Sequence, residues 1–172
     1  MRVLHSAVKP EGLTGDAGLF VRTAARGIVL DGENILLLYT ARYDDYSLPG
    51  GGIDDGEEAV QGLIRELREE TGAADVTDIQ PYGQYDEYRP WHKPGFDWVL
   101  MRSLCYRCEL VGELGEPQLE SHELQNGMHP VWMNIHEAIR HNEAIIAGSD
   151  KKGLSIDRET FLLRLIVAEL LD

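Results

Sequence analysis

The segment from Pro49 to Gly72 limits the fold more than any other part of the sequence. Pro49 is followed by Gly50-Gly51-Gly52, and then by the turn-forming run Asp54-Asp55-Gly56. Glycine lets a backbone pass close to a ligand or adopt positive φ. From Glu57 to Thr71 the apolar residues Ala59, Val60, Leu63, Ile64 and Leu67 recur at i, i+3 and i+4, which predicts an amphipathic helix. Gly72 is its natural stop. A glycine-rich loop must therefore feed directly into a helix with one face in a core.

On that helix Glu66, Glu69 and Glu70 fall on one edge beside the apolar stripe, given about 100° of rotation per residue. Like charges at this spacing repel, each pair costing about 0.2–0.5 kcal/mol. They also occupy the last turns, where the helix dipole favours cations. A local rule broken this way often marks a functional site. A hard divalent cation, which takes carboxylate oxygens and substrate phosphates as ligands, would relieve both penalties. Taken alone, the three glutamates read first as a solvated acidic face on an acidic protein.

The rest of the chain supplies a mixed domain. Phe20–Leu30 and Ile35–Thr40 read as strands joined by the hairpin signal Asp31-Gly32. Residues 1–18 read as a short strand and a loop. Residues 76–89 and 96–110 read as two long strands, 112–127 as a loop, and Val131–Met133 as a short strand. Asn134 is the expected cap of a helix through Ala147, with Glu137 three residues on. A last helix is expected over 158–171. The 172 residues suit one domain, and the interspersed strands and helices suit an α/β class.

Charge and cysteine content narrow the function. The formal net charge is −14, which argues against binding nucleic acid through phosphate contacts. It leaves room for a small anionic ligand, because a bound cation reverses the local field. Cys105 and Cys108 form the one C-x-x-C. Three strand steps span about 10 Å, beyond the reach of a disulfide, so both are expected to be core residues. No run is apolar and long enough for a signal peptide or a membrane span, and a cytoplasmic protein without a membrane partner is expected.

As a whole, residues 51–73 resemble the Nudix box. Gly51, Glu57, Arg65-Glu66, Leu67, Glu69-Glu70 and Gly72 match every fixed position of its pattern. Ala73 stands where a larger aliphatic residue is usual. The resemblance implies an α/β/α sandwich around a mixed β-sheet. It implies hydrolysis of a nucleoside diphosphate linked to another group, such as ADP-ribose, a nucleotide sugar or a nucleoside triphosphate. The cofactor implied is Mg²⁺ or Mn²⁺, which would neutralise the phosphates and acidify water.

Residue by residue, the resemblance makes Glu66 and Glu70 the main metal ligands. Glu69 is a further ligand, or the base, and Gly50 contributes its carbonyl. Arg65 and Glu57 brace the loop against the helix, behind the reacting groups. The loop before Trp132 offers Glu120 and Glu123 as a base from outside the box, with Glu120 favoured and His122 between them as an alternative. Arg42 is a candidate for phosphate, and Tyr46 and Trp91 for stacking on a base. Tyr88 and Pro90 both lie near the distance past the box that marks substrate in some subfamilies, so that marker does not decide.

Other classes fit less well. Some Nudix domains are non-catalytic nucleotide sensors, but those usually lose box residues or carry a DNA-binding region. An isopentenyl diphosphate isomerase would need a reactive cysteine in the pocket. The partner expected is thus a small nucleotide-type molecule. The apolar spread of the last helix, from Phe161 to Leu170, allows a homodimer or a helix wrapped by its own core.

Overall fold

A computed structural model describes residues 1–11, 19–91 and 94–171. The expected loop over 9–18 falls largely on residues 12–18, outside the described residues, as do positions 92 and 93. In chain order the strands β1 (Val3–His5), β2 (Leu19–Ile28), β3 (Leu30–Asp31), β4 (Asn34–Thr40), β5 (Asp45–Ser47) and β6 (Gly50–Gly52) precede helix α1 (Ala59–Thr71). Then follow β7 (Asp75–Pro90), β8 (Trp98–Val111), the short helix α2 (Ser121–Gln125) and β9 (Met128–Asn134). Two helices close the chain: α3 (Ile135–Gly148) and α4 (Ile156–Ile166), the latter continuing as a π-helical turn over Val167–Leu171.

Two sheets form the middle of the fold. The first is mixed, in the order β1-β7-β8-β2-β6. Its centre is the β7–β8 antiparallel pair, with β2 running parallel to β8 from Leu19 opposite Trp98 to Ile28 opposite Arg107. In the second sheet β4 is flanked by β5 and β9 and forms a hairpin with β3. That hairpin turns at Gly32, where φ is +60°.

Strand alternation sorts the side chains into two cores. Ile35 and Leu37 of β4, with Cys105 of β8, pack against Ile135 and Ala138 of α3 and Leu162, Leu163 and Ile166 of α4. Leu36 of β4, with Tyr106 and Cys108 of β8, packs against Leu63 and Leu67 of α1. The result is helix, sheet, helix. Cys105 and Cys108 sit in different cores, both free and buried. Phe161, Val167, Leu170 and Leu171 pack against the first core, so the wide apolar spread of the last helix is taken up within the chain. Among the described residues no helix is long and apolar enough to cross a membrane.

Several boundaries differ from the sequence expectation. Helix α1 starts at Ala59, not Glu57: the Glu58 backbone N–H is taken by the Gln61 side chain, which sets the cap there. The glycine run is a strand rather than a loop, paired antiparallel with β2, Gly50 opposite Arg26. The expected loop over 112–127 contains α2, begun by the Glu123 carboxylate accepting from the Glu120 N–H at 2.8 Å. The last helix starts two residues earlier than expected.

At the end of α1, Gly72 has φ +74°, and a Cβ there would fall 2.2 Å from the Gly115 carbonyl oxygen. Gly72→Ala should therefore lower Tm by at least about 3 °C, measurable by differential scanning calorimetry. Asp45 of β5 is buried, and that burial, with Glu159 and Asp44 nearby, pushes its carboxyl up to about 6. A raised carboxyl favours the fold at low pH, and this contribution is lost as pH climbs from about 4 to about 6. Asp45→Asn should match the parent Tm near pH 4 and exceed it by a few degrees above pH 6. A pH-independent difference would show an ordinary Asp45.

Candidate active site

Strand β6 packs closely against helix α1 through Glu66 and against strand β2 through its backbone. A Cβ on Gly51 would lie 2.7 Å from Glu66 Oε1, and one on Gly50 would lie 2.0 Å from the Ala25 carbonyl oxygen. The Gly50 N–H donates to Glu70 Oε1 at 3.1 Å. Glu70 is 1% exposed. Burial, then a hydrogen bond to and repulsion from Glu66, hold its carboxyl well above the ordinary range. Two carboxyl groups are thus pressed together against a bare backbone.

Arg65 fixes this junction. Its Nε donates to Glu57 Oε2 at 2.8 Å, and its Nη2 to Glu57 Oε1 and to the Gly52 carbonyl, both at 3.0 Å. Its Nη1 reaches Glu66 Oε1 at 3.1 Å and Glu69 Oε2 at 3.3 Å. The bidentate contact holds the Glu57 carboxyl down to about 2. Burial and the Glu66 charge push Glu69 the other way, upward. Glu57 and Arg65 therefore tie the glycine strand to the helix.

A cleft of about 460 Å³ opens over this junction. Gly50–Gly52, Glu66, Glu70, Glu120, His122 and Glu123 form one side. Glu120 stays exposed, with His122 Nδ1 3.4 Å away, while Glu123 is buried and pushed up mainly by that burial. Glu69 is not among the described residues that line the cleft; it lies at the edge, tied to Arg65.

Arginines line the same cleft. Arg22 and Arg26 come from β2, Arg89 from β7 and Arg158 from α4. Arg158 Nη2 pairs with Glu159 at 3.1 Å and its Nη1 with Glu87 at 3.0 Å. Arg26 Nη1 lies 3.8 Å from the same Glu159 oxygen, and Arg89 Nε donates to Glu87 at 2.8 Å. None of these four arginines stands out by residue spacing around the box. The one available signal is that Arg22 and Arg26 sit at an even interval in β2, so they share a face.

The three residues expected to bind substrate are not brought to the cleft. Tyr46 alternates with Asp45 and Ser47 on β5. Those two line the cleft, so its ring points the other way, 5.2 Å from the Tyr39 ring and 5.0 Å from His141. Arg42 donates to Asn126 at 3.2 Å and lies 5.4 Å over the Tyr43 ring. Trp91 packs edge-on to Phe20 at 4.7 Å. Tyr43 is the aromatic residue found in the cleft among the described residues.

The donor set suits a hard divalent cation, because Glu66, Glu69 and Glu70 offer only oxygens and the Glu66–Glu70 pair carries charge that burial penalises. Among the described residues no three such side chains are already gathered as a ligand cluster, since Arg65 Nη1 holds Glu66 and Glu69.

The comparisons with known proteins agree with this geometry. Over 67 residues the chain is 40% identical to the RNA pyrophosphohydrolase of Tolumonas auensis, covering 37% of this chain and 38% of that one. Over 48 residues it is 46% identical to the RNA pyrophosphohydrolase of Ruthia magnifica, covering 27% of each. The chain thus matches well under half the length of these relatives. A NUDIX hydrolase from Nitrosomonas europaea shares the fold with a TM-score of 0.60 at 16% identity, over 85% of this chain and 89% of that one. A nudix hydrolase family member from Chromobacterium violaceum does so at 0.51 and 21%, over 87% and 78%. The NUDIX domain model matches residues 21–152, and the chain belongs to the Nudix family.

Proposed function

We propose that this protein is a Mg²⁺- or Mn²⁺-dependent pyrophosphohydrolase, splitting a phosphoanhydride of a nucleotide-type substrate by attack of water on phosphorus. The observation that carries this reading is the buried Glu66–Glu70 pair, set against bare glycine backbone in one cleft with Arg22, Arg26, Arg89 and Arg158. Carboxylates without a cation repel a polyanion, and arginines attract one. A cleft with both is suited to hold a metal and a phosphate chain together.

Glu66 and Glu70 would hold the cation, with Glu69 and the Gly50 carbonyl beside them. When bound, such a cation neutralises phosphate charge and lowers the pKa of water. Glu120, exposed on the cleft side of α2, takes the proton of the attacking water. Arg65 and Glu57 keep α1 and β6 in register, so their effect on the reaction is through position. The substrates in view are ADP-ribose, nucleotide sugars and nucleoside triphosphates. The name of the two curated relatives adds RNA to that set.

Three outcomes test the reading. Purified protein with Mg²⁺ should hydrolyse at least one member of a panel of these compounds, and chelator should abolish that turnover. Binding without turnover across the panel would instead favour a nucleotide sensor. Glu70→Gln should cut kcat at least about 100-fold while Tm stays equal or rises, since the cost of burying an ionisable carboxyl is removed. Glu120→Gln should lower kcat by about 100-fold or more with little change in KM. Near-parent kcat in Glu120→Gln would move the base to another residue.

A further inference from the structure

The basic side of the cleft is more than the family match accounts for. The matched residues end at 152, and α4 begins at Ile156. Its first turn faces the cleft: Gly153, Leu154, Ser155, Arg158 and Glu159 all line it. No side chain caps this helix end, where backbone N–H groups and the helix dipole favour an anion. Arg158 is 3% exposed, and its Nε has no hydrogen-bond partner.

The neighbouring charges are arranged around that turn. Arg89 Nη2 donates to Ser155 Oγ at 3.0 Å and to the Leu154 carbonyl at 3.4 Å. Glu87 and Glu159 hold Arg89, Arg158 and Arg26 in place. Arg22 is different. It is exposed, and its guanidinium stands 3.5 Å from where a Cβ of Gly52 would be. Among the described residues it has no hydrogen bond or ion pair. Four guanidinium groups thus face two structural carboxylates, Glu87 and Glu159, with Asp45 nearby, leaving positive charge beside the glycine strand.

This end of the cleft offers little to an organic group. Tyr43 has Arg42 over its ring at 5.4 Å. The backbone of Gly153 also lies against it, a Cβ there falling 3.0 Å from Tyr43 Cδ1. The ring is therefore already packed rather than open for a base to stack on.

We propose that the first turn of α4 with Arg158, together with Arg22, Arg26 and Arg89, is a seat for the terminal phosphate of the substrate. The substrate class is then a phosphate chain ending in a free terminal phosphoryl group, as at a nucleoside triphosphate, in preference to a pyrophosphate enclosed between two sugars. The claim rests on the hydrolase reading for the word substrate, and on the seat alone for binding. Arg22 and Arg89 reach the phosphate from the surface. Arg26 and Arg158 supply the field behind them. A terminal phosphate carries more charge than an internal one, so such a wall discriminates between the two.

The test is binding of inorganic tripolyphosphate, ATP and ADP-ribose to the full chain in EDTA, by isothermal titration calorimetry at low salt. The parent should bind ATP at least tenfold more tightly than ADP-ribose. Arg22→Gln, at an exposed and unpaired site, should fold normally and weaken tripolyphosphate at least fivefold. Arg158→Met should weaken it at least tenfold where it folds. Arg164→Gln, on α4 but paired with Glu143, should stay within twofold. Equal affinity for ATP and ADP-ribose, or tripolyphosphate binding untouched by Arg22→Gln, overturns the seat. Turnover with Mg²⁺ is read separately. Arg22-dependent binding with no turnover of any substrate keeps the seat and overturns the hydrolase reading.

Discussion

The contact between β6 and α1 is the constraint on which the site depends. Backbone and carboxylate approach so closely at Gly51 and Glu66 that a methyl group there would displace the Glu66 carboxylate, and one at Gly50 would strike the β2 backbone. Arg65 supplies the clamp that makes the approach stable, since one planar guanidinium meets Glu57, Glu66, Glu69 and the Gly52 carbonyl at once. A lysine has no such fork. From this junction the rest follows. The strand pairs with β2, which carries Arg22 and Arg26, and the helix covers the second core through Leu63 and Leu67.

The cleft resolves a tension in the composition. A protein of net charge −14 is a poor host for a polyanion on average, yet the average says nothing about one concavity. Five of its sixteen basic residues, Arg22, Arg26, Arg65, Arg89 and Arg158, line a single cleft. Arg26, Arg89 and Arg158 are held there by two carboxylates with two partners each: buried Glu159 meets Arg26 and Arg158, and half-buried Glu87 meets Arg89 and Arg158. Surface acidity and local positive field are separate properties of the same chain.

How much of this is legible in the sequence depends on how local the signal is. The acidic edge of α1 and its stop at Gly72 are local, so spacing alone exposes them, whereas the brace of Arg65 on Glu57 is implied only by the resemblance to the Nudix box. The long strands and the opposite-core placement of the two cysteines follow from alternation. The basic wall is not legible in that way, because it is assembled from β2, β7 and α4, and only strand pairing brings Arg89 and Arg158 near Arg26. The aromatic and basic candidates Tyr46, Trp91 and Arg42 show the converse. Their residue types suit a ligand, but one-residue alternation on β5 turns Tyr46 inward, Trp91 rests on Phe20, and Arg42 is taken by Asn126 and Tyr43. Glu57 misled on the helix start for a related reason: it serves Arg65, and Glu58 takes the cap.

The burial of Cys105 and Cys108 has a practical side. Desolvation pushes both thiols up to about 12, so neither offers a thiolate at neutral pH, and thiolate is the reactive form. The protein is in effect silent to alkylating reagents while folded. A single cysteine placed on its surface, near the mouth of the cleft, would be the one group to take a fluorophore or spin label, with neither native cysteine replaced.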